Sequence, residues 1–159
     1  MIESPLNTHP PRAVLALCLG NICRSPIAEG LLRAHAERSG IQLVVDSAGT
    51  SSYHSGEPPD PRSIEVMAHH GYDISDQRSR ALTQDDFERF DLILAMDKNN
   101  LRAARKIAQN RRDAQKVVLL LHDQSEVPDP YYGGSQGFER VFRMIDVAAD
   151  LWVQSWHRE

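Results

Sequence analysis

Ala13-Val14-Leu15-Ala16-Leu17-Cys18-Leu19-Gly20-Asn21-Ile22-Cys23-Arg24-Ser25-Pro26 is the stretch that decides how the chain is read. Its apolar opening, Ala13 to Leu17, has the length and composition of a buried strand. Gly20 and Asn21 tolerate the positive φ of a tight loop, and Ser25-Pro26 predicts an N-cap followed by the first residue of a helix. A strand therefore passes through a loop into a helix N-terminus. Inward backbone N–H groups and the helix dipole make such a loop a site for a dianionic oxyanion.

Cys18 stands at the mouth of that loop. A free thiol titrates near ~8.5 but falls to roughly 3.5–7.5 beside an arginine and a helix N-terminus, which makes Cys18 a candidate thiolate nucleophile. Arg24, separated from Cys18 by five residues, closes the loop with a planar guanidinium that can bind two phosphoryl oxygens at once. Ser25 is placed to donate a hydrogen bond to the sulfur as it leaves. The plainer alternative is a small hydrophobe ending a strand beside an ordinary turn. The joint placement of cysteine, glycine, arginine, serine and proline where one mechanism needs them argues against it.

The stretch resembles the signature of the low-molecular-weight protein tyrosine phosphatases, Cys-x-Gly-Asn-x-Cys-Arg-Ser-Pro, at every fixed position. The resemblance continues in Asp46-Ser47-Ala48-Gly49-Thr50 and Asp129-Pro130-Tyr131-Tyr132-Gly133-Gly134, so it runs from about residue 13 to the C-terminus. It implies hydrolysis of phosphotyrosine in proteins through a phosphocysteine, with no metal and no cofactor. Cys18 would be the nucleophile, and Arg24 with the phosphate-binding loop of Leu19, Gly20, Asn21, Ile22, Cys23 and Ser25 would clamp phosphate or another oxyanion. Asp129 matches the family's general acid. Partial burial under the neighbouring tyrosines would help it keep its proton, and it would act as base in the second step.

The same resemblance assigns supporting roles. Ser47 would hold the loop asparagine, Asn21. Gln77 stands where many members carry a histidine that pairs with an aspartate, matched here by Asp97, so that contact would become neutral. Tyr131 and Tyr132 would wall a deep cleft favouring phosphotyrosine over phosphoserine, and can themselves be phosphorylated in the family, which would make a tyrosine kinase a partner. Tyr53 falls where the family has an aromatic on the cleft wall, or is an ordinary loop tyrosine. Cys23 would form a reversible disulfide with Cys18, or is a passive buried thiol. Two other readings remain on the same scaffold: arsenate reduction, weakened because no cysteine follows Cys23, and a silent phosphotyrosine-binding module, although no catalytic residue is missing.

Composition bounds the rest. The 159 residues, 41% of them hydrophobic, suit a single globular domain. A net charge of −4 argues against nucleic acid and anionic membrane surfaces as partners. Two cysteines make no disulfide framework, and no apolar run is long enough for membrane insertion, which fits a cytoplasmic protein. Residues 1–12 read as a flexible leader and 13–159 as the phosphatase domain.

Along the chain, Ile27, Leu31 and Ala34 recur at helical spacing, with Glu29, Arg33 and Glu37 as polar partners, until Gly40. Strands are predicted at Ile41–Asp46, Leu92–Ala95 and Lys116–Leu121. Helices are predicted from Ser63 to His70, after Thr83 with Asp86 completing a capping box, after Asp97, and along the stripe Phe138 to Trp156. The pattern is α/β: a single-domain open twisted sheet of four parallel strands with helices on both faces and the phosphate-binding loop after the first strand.

Overall fold

A computed structural model describes residues 10–157. Strand β1 (Ala13–Cys18) is central, flanked in parallel by β2 (Val44–Gly49) and β3 (Leu92–Ala95), with β4 (Val117–Leu119) beyond β3. The order is β2-β1-β3-β4, all parallel. Helix α1 (Arg24–Arg38) joins β1 to β2, and α2 (Pro61–His69) and α3 (Gln84–Arg89) lie between β2 and β3. Helices α4 (Lys98–Ile107) and α5 (Arg111–Gln115) precede β4, and α6 (Ser135–Ser155) follows it. The order reverses at β1, so the crevice beyond the C-terminal ends of β1 and β3 is where an open α/β sheet binds ligands.

Strand alternation divides the core. Val14, Ala16, Leu92 and Leu94 face Ile27 and Leu31 of α1 and Phe138, Val141, Ile145 and Trp152 of α6. Leu15, Leu17, Ile93 and Ala95 face the other way, onto Phe87, Phe90 and Ala104. Helices thus cover both faces, as strands apolar on both sides require.

Several element ends differ from the sequence expectation. Helix α1 starts at Arg24 with Cys23 as N-cap, two residues before the expected Ser25 cap and Pro26 start, and the Ser25 hydroxyl is instead engaged by Asn21 and faces Cys18. Strand β2 begins at Val44 rather than Ile41 and runs to Gly49. Ile41 N–H still donates to Ala36 O to close the end of α1 around Gly40 (φ 70°), and the later residues pair Gly49 with Cys18. Helix α2 starts two residues early, with Asp60 as N-cap accepting from Arg62 N and Pro61 at the first helical position. Strand β4 is confined to Val117–Leu119. Glu29, one of the polar partners on α1, is buried. Of the leader expected over residues 1–12, residues 1–9 lie outside the described residues. Arg12 N–H donates to Asp91 Oδ2 at 2.8 Å and its carbonyl accepts from Val44 N–H at 2.9 Å, so it is tied to the sheet.

Candidate active site

The loop after β1 is held open from outside. Its carbonyls accept outward hydrogen bonds one after another: Cys18 O from Thr50 N, Leu19 O from Ser51 N, Gly20 O from Ser79 Oγ, Ile22 O from Asp60 N, and Cys23 O from Ser63 Oγ. A peptide's N–H and C=O point in opposite directions, so anchoring the carbonyls outward turns the amides into the bowl. Among the described residues, none of the N–H groups of Leu19 to Cys23 donates to a protein acceptor. Asn21 takes the positive φ (56°), whereas Gly20 does not; a Cβ at Gly20 would stand 3.0 Å from the His54 ring, which would have to shift to admit it. Gly49 has the tighter constraint, since its Cβ would lie 2.7 Å from Leu19 O and press the loop out of shape.

Within the bowl, Cys18 Sγ lies 3.0 Å from Ser25 Oγ. Asn21 Nδ2 donates to Ser25 Oγ at 2.7 Å and to Ser47 Oγ at 2.9 Å, while Asn21 Oδ1 accepts from Arg80 N–H at 3.0 Å. Arg24 is buried, its Nη1 donating to Asp97 Oδ2 at 2.7 Å and to Val127 O at 2.9 Å, and its Nη2 lying 3.8 Å from Asp129 Oδ2. These contacts fix the guanidinium plane without consuming every donor. Asp97 also accepts from Asn100 N at 2.8 Å as N-cap of α4, so one carboxylate ends a helix and aims the arginine. Asp97 does not meet Gln77. Gln77 Nε2 reaches Pro26 O at 3.1 Å instead, and its buried Oε1 has no partner.

The bowl opens into a cavity of about 430 Å3 lined by Cys18, Leu19, Ile22, Arg24, Tyr53, His54, Asp129, Tyr131 and Tyr132. A larger concavity of about 880 Å3, around Arg12, Gly40, Val44 and Trp156, lies at the opposite ends of the strands and contains no cysteine. Tyr131 and Tyr132 meet edge to face with ring centroids 5.0 Å apart, and Tyr53 and Tyr132 are almost wholly exposed at the rim. Where partial burial is expected beneath the tyrosines, Asp129 keeps a side chain 39% exposed, with Oδ1 accepting from Tyr131 N–H at 3.0 Å.

Sequence reasoning misses four residues here. His54 lines the cavity beside Tyr53, and its Nδ1 pairs with Glu57. Arg62 clamps the Asp129 loop onto the start of α2. It donates to Tyr131 O at 3.0 Å and Gly133 O at 3.2 Å, grips both oxygens of Asp60, and lies over the Phe138 and Tyr131 rings. Burial alone would raise the Asp60 carboxyl, but the Arg62 hydrogen bonds outweigh it and hold it below the ordinary range. Ser79 and Arg80 brace the loop from beneath. The one local signal was the Asp60-Pro61-Arg62 cap; its partners are far away in sequence. Cys23 is pushed up to about 12, by burial first and then by the charges of Asp60, Cys18 and Asp129.

A parallel α/β sheet whose first strand ends in a loop that places a cysteine, an arginine and a carboxylate around one cavity defines the class of protein as a phosphatase fold. A family profile described as low molecular weight phosphotyrosine protein phosphatase matches residues 13–159. A Streptomyces coelicolor protein named low molecular weight protein-tyrosine-phosphatase is 46% identical over 145 residues, covering 86% of this chain and 88% of its own. A Homo sapiens low molecular weight phosphotyrosine protein phosphatase is 40% identical over 153 residues, covering 92% and 96%. Among solved structures, the Erwinia amylovora tyrosine phosphatase AmsI superposes with a TM-score of 0.84 at 33% identity, covering 93% of this chain and 95% of its own. Vibrio vulnificus Wzb, in complex with benzylphosphonate, gives 0.82 at 32% identity, covering 90% and 97%. The chain belongs to the low molecular weight phosphotyrosine protein phosphatase family, and it is a phosphatase. No helix among the described residues is long and apolar enough to cross a membrane.

Proposed function

We propose that the protein hydrolyses phosphotyrosine in protein substrates through a covalent phosphocysteine. The observation that carries the reading is the single bowl in which Cys18 Sγ faces Ser25 Oγ at 3.0 Å, with Arg24 on its wall and Asp129 3.8 Å from Arg24 at the rim. The Cys18 thiolate attacks phosphorus, the bond from phosphorus to the tyrosine oxygen breaks, and Asp129 gives its proton to that oxygen. Inward amides and Arg24 hold the three equatorial oxygens as charge moves across them. In the second step water attacks the phosphocysteine and Asp129 takes the water's proton. The S–P bond breaks, releasing inorganic phosphate and the thiolate. Ser25 donates to the sulfur as negative charge returns to it.

Benzylphosphonate, the group in the Vibrio vulnificus Wzb complex, is an aryl-bearing phosphonate. A cavity walled by Tyr53, Tyr131 and Tyr132 suits the same combination of a flat ring and a tetrahedral anion. A tyrosine-phosphorylated protein is therefore the proposed substrate, and a tyrosine kinase is the activity that supplies it. Cys23, close to Cys18 along the loop, is the proposed partner for a protective disulfide under oxidation.

The test is rapid-quench hydrolysis of p-nitrophenyl phosphate with chelator present. Wild-type protein should release a stoichiometric burst of nitrophenol and Cys18→Ser should release none. Turnover by Cys18→Ser at the wild-type rate would remove the covalent mechanism.

A further inference from the structure

Glu29 is a buried carboxylate that no step of the proposed reaction uses. It lies one turn after Ser25 on α1, with Arg33 one turn further, so the three share a face of the helix. Glu29 Oε2 accepts from Arg33 Nη2 at 2.8 Å and Oε1 accepts from Ser47 Oγ at 2.7 Å, so the carboxylate is an acceptor on both oxygens. Arg33 is itself anchored by donating to Val45 O at 2.6 Å.

Following the protons along this chain gives it a direction. The Arg80 N–H can only donate, so it fixes Asn21 Oδ1 as acceptor and turns the Asn21 NH2 toward the two serines. Ser47 Oγ accepts one of those N–H bonds, and the single proton of Ser47 goes to Glu29. Ser25 Oγ accepts the other, which leaves the single Ser25 proton free to point at Cys18 Sγ. Without an acceptor at Glu29, the buried Ser47 hydroxyl has the Asn21 carbonyl as its alternative. Reaching it requires the amide to turn over and set its NH2 against the Arg80 N–H. Ser25 would then give its proton to Asn21, and the sulfur would lose its donor. A buried hydroxyl left without an acceptor is unfavourable enough to drive such a rearrangement.

We propose that Glu29 is a positioning residue for the nucleophile: by accepting the Ser47 proton, it keeps the Asn21 amide and the Ser25 hydroxyl oriented so that Ser25 donates to Cys18. The proposal rests on the reading of Cys18 as a thiolate nucleophile. The device is one of reach and hydrogen-bond sense, not of net charge. Glutamine at this position keeps both the length and a carbonyl acceptor for Ser47, whereas aspartate keeps the charge but falls short of Ser47.

The experiment is iodoacetate alkylation of Cys18 in the full-length protein, read by mass spectrometry of the Cys18 peptide, as the ratio of rates at about pH 6 and about pH 10. Relative to wild type, Glu29→Asp should lower that ratio roughly tenfold, the effect of losing one hydrogen bond to a charged group, and Glu29→Gln should lower it less than about twofold. Ser47→Ala should lower it as Glu29→Asp does, and Glu29→Asp in the Ser47→Ala background should add nothing. The reverse order, with Gln impaired and Asp intact, overturns the proposal, as does an Asp variant equal to wild type or a loss that adds to that of Ser47→Ala. If Glu29→Asp does not fold, Glu29→Met, which lacks any acceptor, replaces it with the same expectation. A wild-type Cys18 that alkylates no faster than Cys23 at the lower pH overturns the thiolate reading itself, whereas a fast wild type with an unaffected Asp variant overturns this inference alone.

Discussion

Asp129 reaches the mouth of the bowl from a loop, 39% exposed and 3.8 Å from Arg24, a position that suits the proposed proton delivery. Asp129→Ala is expected to slow hydrolysis of phenyl phosphate roughly 10²–10³-fold but of p-nitrophenyl phosphate less than about tenfold, because nitrophenolate leaves without a proton. Equal losses on both esters would take the acid role away. Burial holds the Cys23 thiol up at about 12. Iodoacetamide at neutral pH should therefore label Cys18 alone, a result visible as a single adduct by mass spectrometry. A group raised on folding contributes stability below the pKa it has when unfolded, about 8.5, and loses that contribution as pH rises above it. Thermal melts should accordingly show Tm falling above about pH 9, and less so for Cys23→Ser. Cys18, Arg24 and Ser25 were legible because the loop that unites them is one continuous stretch. Arg62 was not, because Tyr131 lies 69 residues away from it.

Between elements, two side chains couple the bowl to its surroundings. Asp97 both caps α4 and pairs with Arg24, and the two jobs separate on substitution. Asp97→Ala should lose the cap, about 0.5–2 kcal/mol, and lower Tm. Asp97→Asn, an equally good cap, should keep Tm near wild type while weakening competitive inhibition by inorganic phosphate, since the charge-assisted hydrogen bond that aims the Arg24 guanidinium becomes a weaker neutral one. Calorimetry and inhibition constants on the two variants check this; identical behaviour would mean one of the roles is absent. Arg62 does the corresponding work for the acid loop, tying Tyr131 and Gly133 to α2. Arg62→Ala should reproduce the leaving-group dependence of Asp129→Ala in weaker form, about tenfold on phenyl phosphate, and should leave Cys18 alkylation unchanged. The capping box at Thr83 and Asp86 and the strand at Leu92–Ala95 stand where local sequence signals put them. Strand β2 does not, because Ile41–Leu43 look like strand by composition but serve as the exit from α1, while Ser47-Ala48-Gly49 look like a turn and pair with β1.

For the molecule as a whole, acid sensitivity follows from carboxylates held in ion pairs. Asp60, lowered on folding chiefly by its hydrogen bonds to Arg62 against the opposing effect of burial, contributes stability that is full above about pH 4 and lost as pH falls below it. Tm should drop as pH falls below about 4, and Asp60→Asn, which retains an N-cap, should flatten that part of the curve. An unchanged slope in the variant would assign the acid transition to other carboxylates. At this scale, the order of apolar runs and helical stripes determined the α/β class, the parallel sheet and the placement of the loop at its C-terminal edge. These follow from local periodicity and from the handedness of the crossover, both written along the chain. Beyond Ser47 and Asp97, tertiary structure alone decided which side chains brace the bowl. Glu29 reads on its helix as one more polar partner, and it becomes a buried acceptor only because β2 brings Ser47 to it. Hydrogen-bond sense and burial are properties of what lies opposite a residue in space, and no spacing along the chain encodes them.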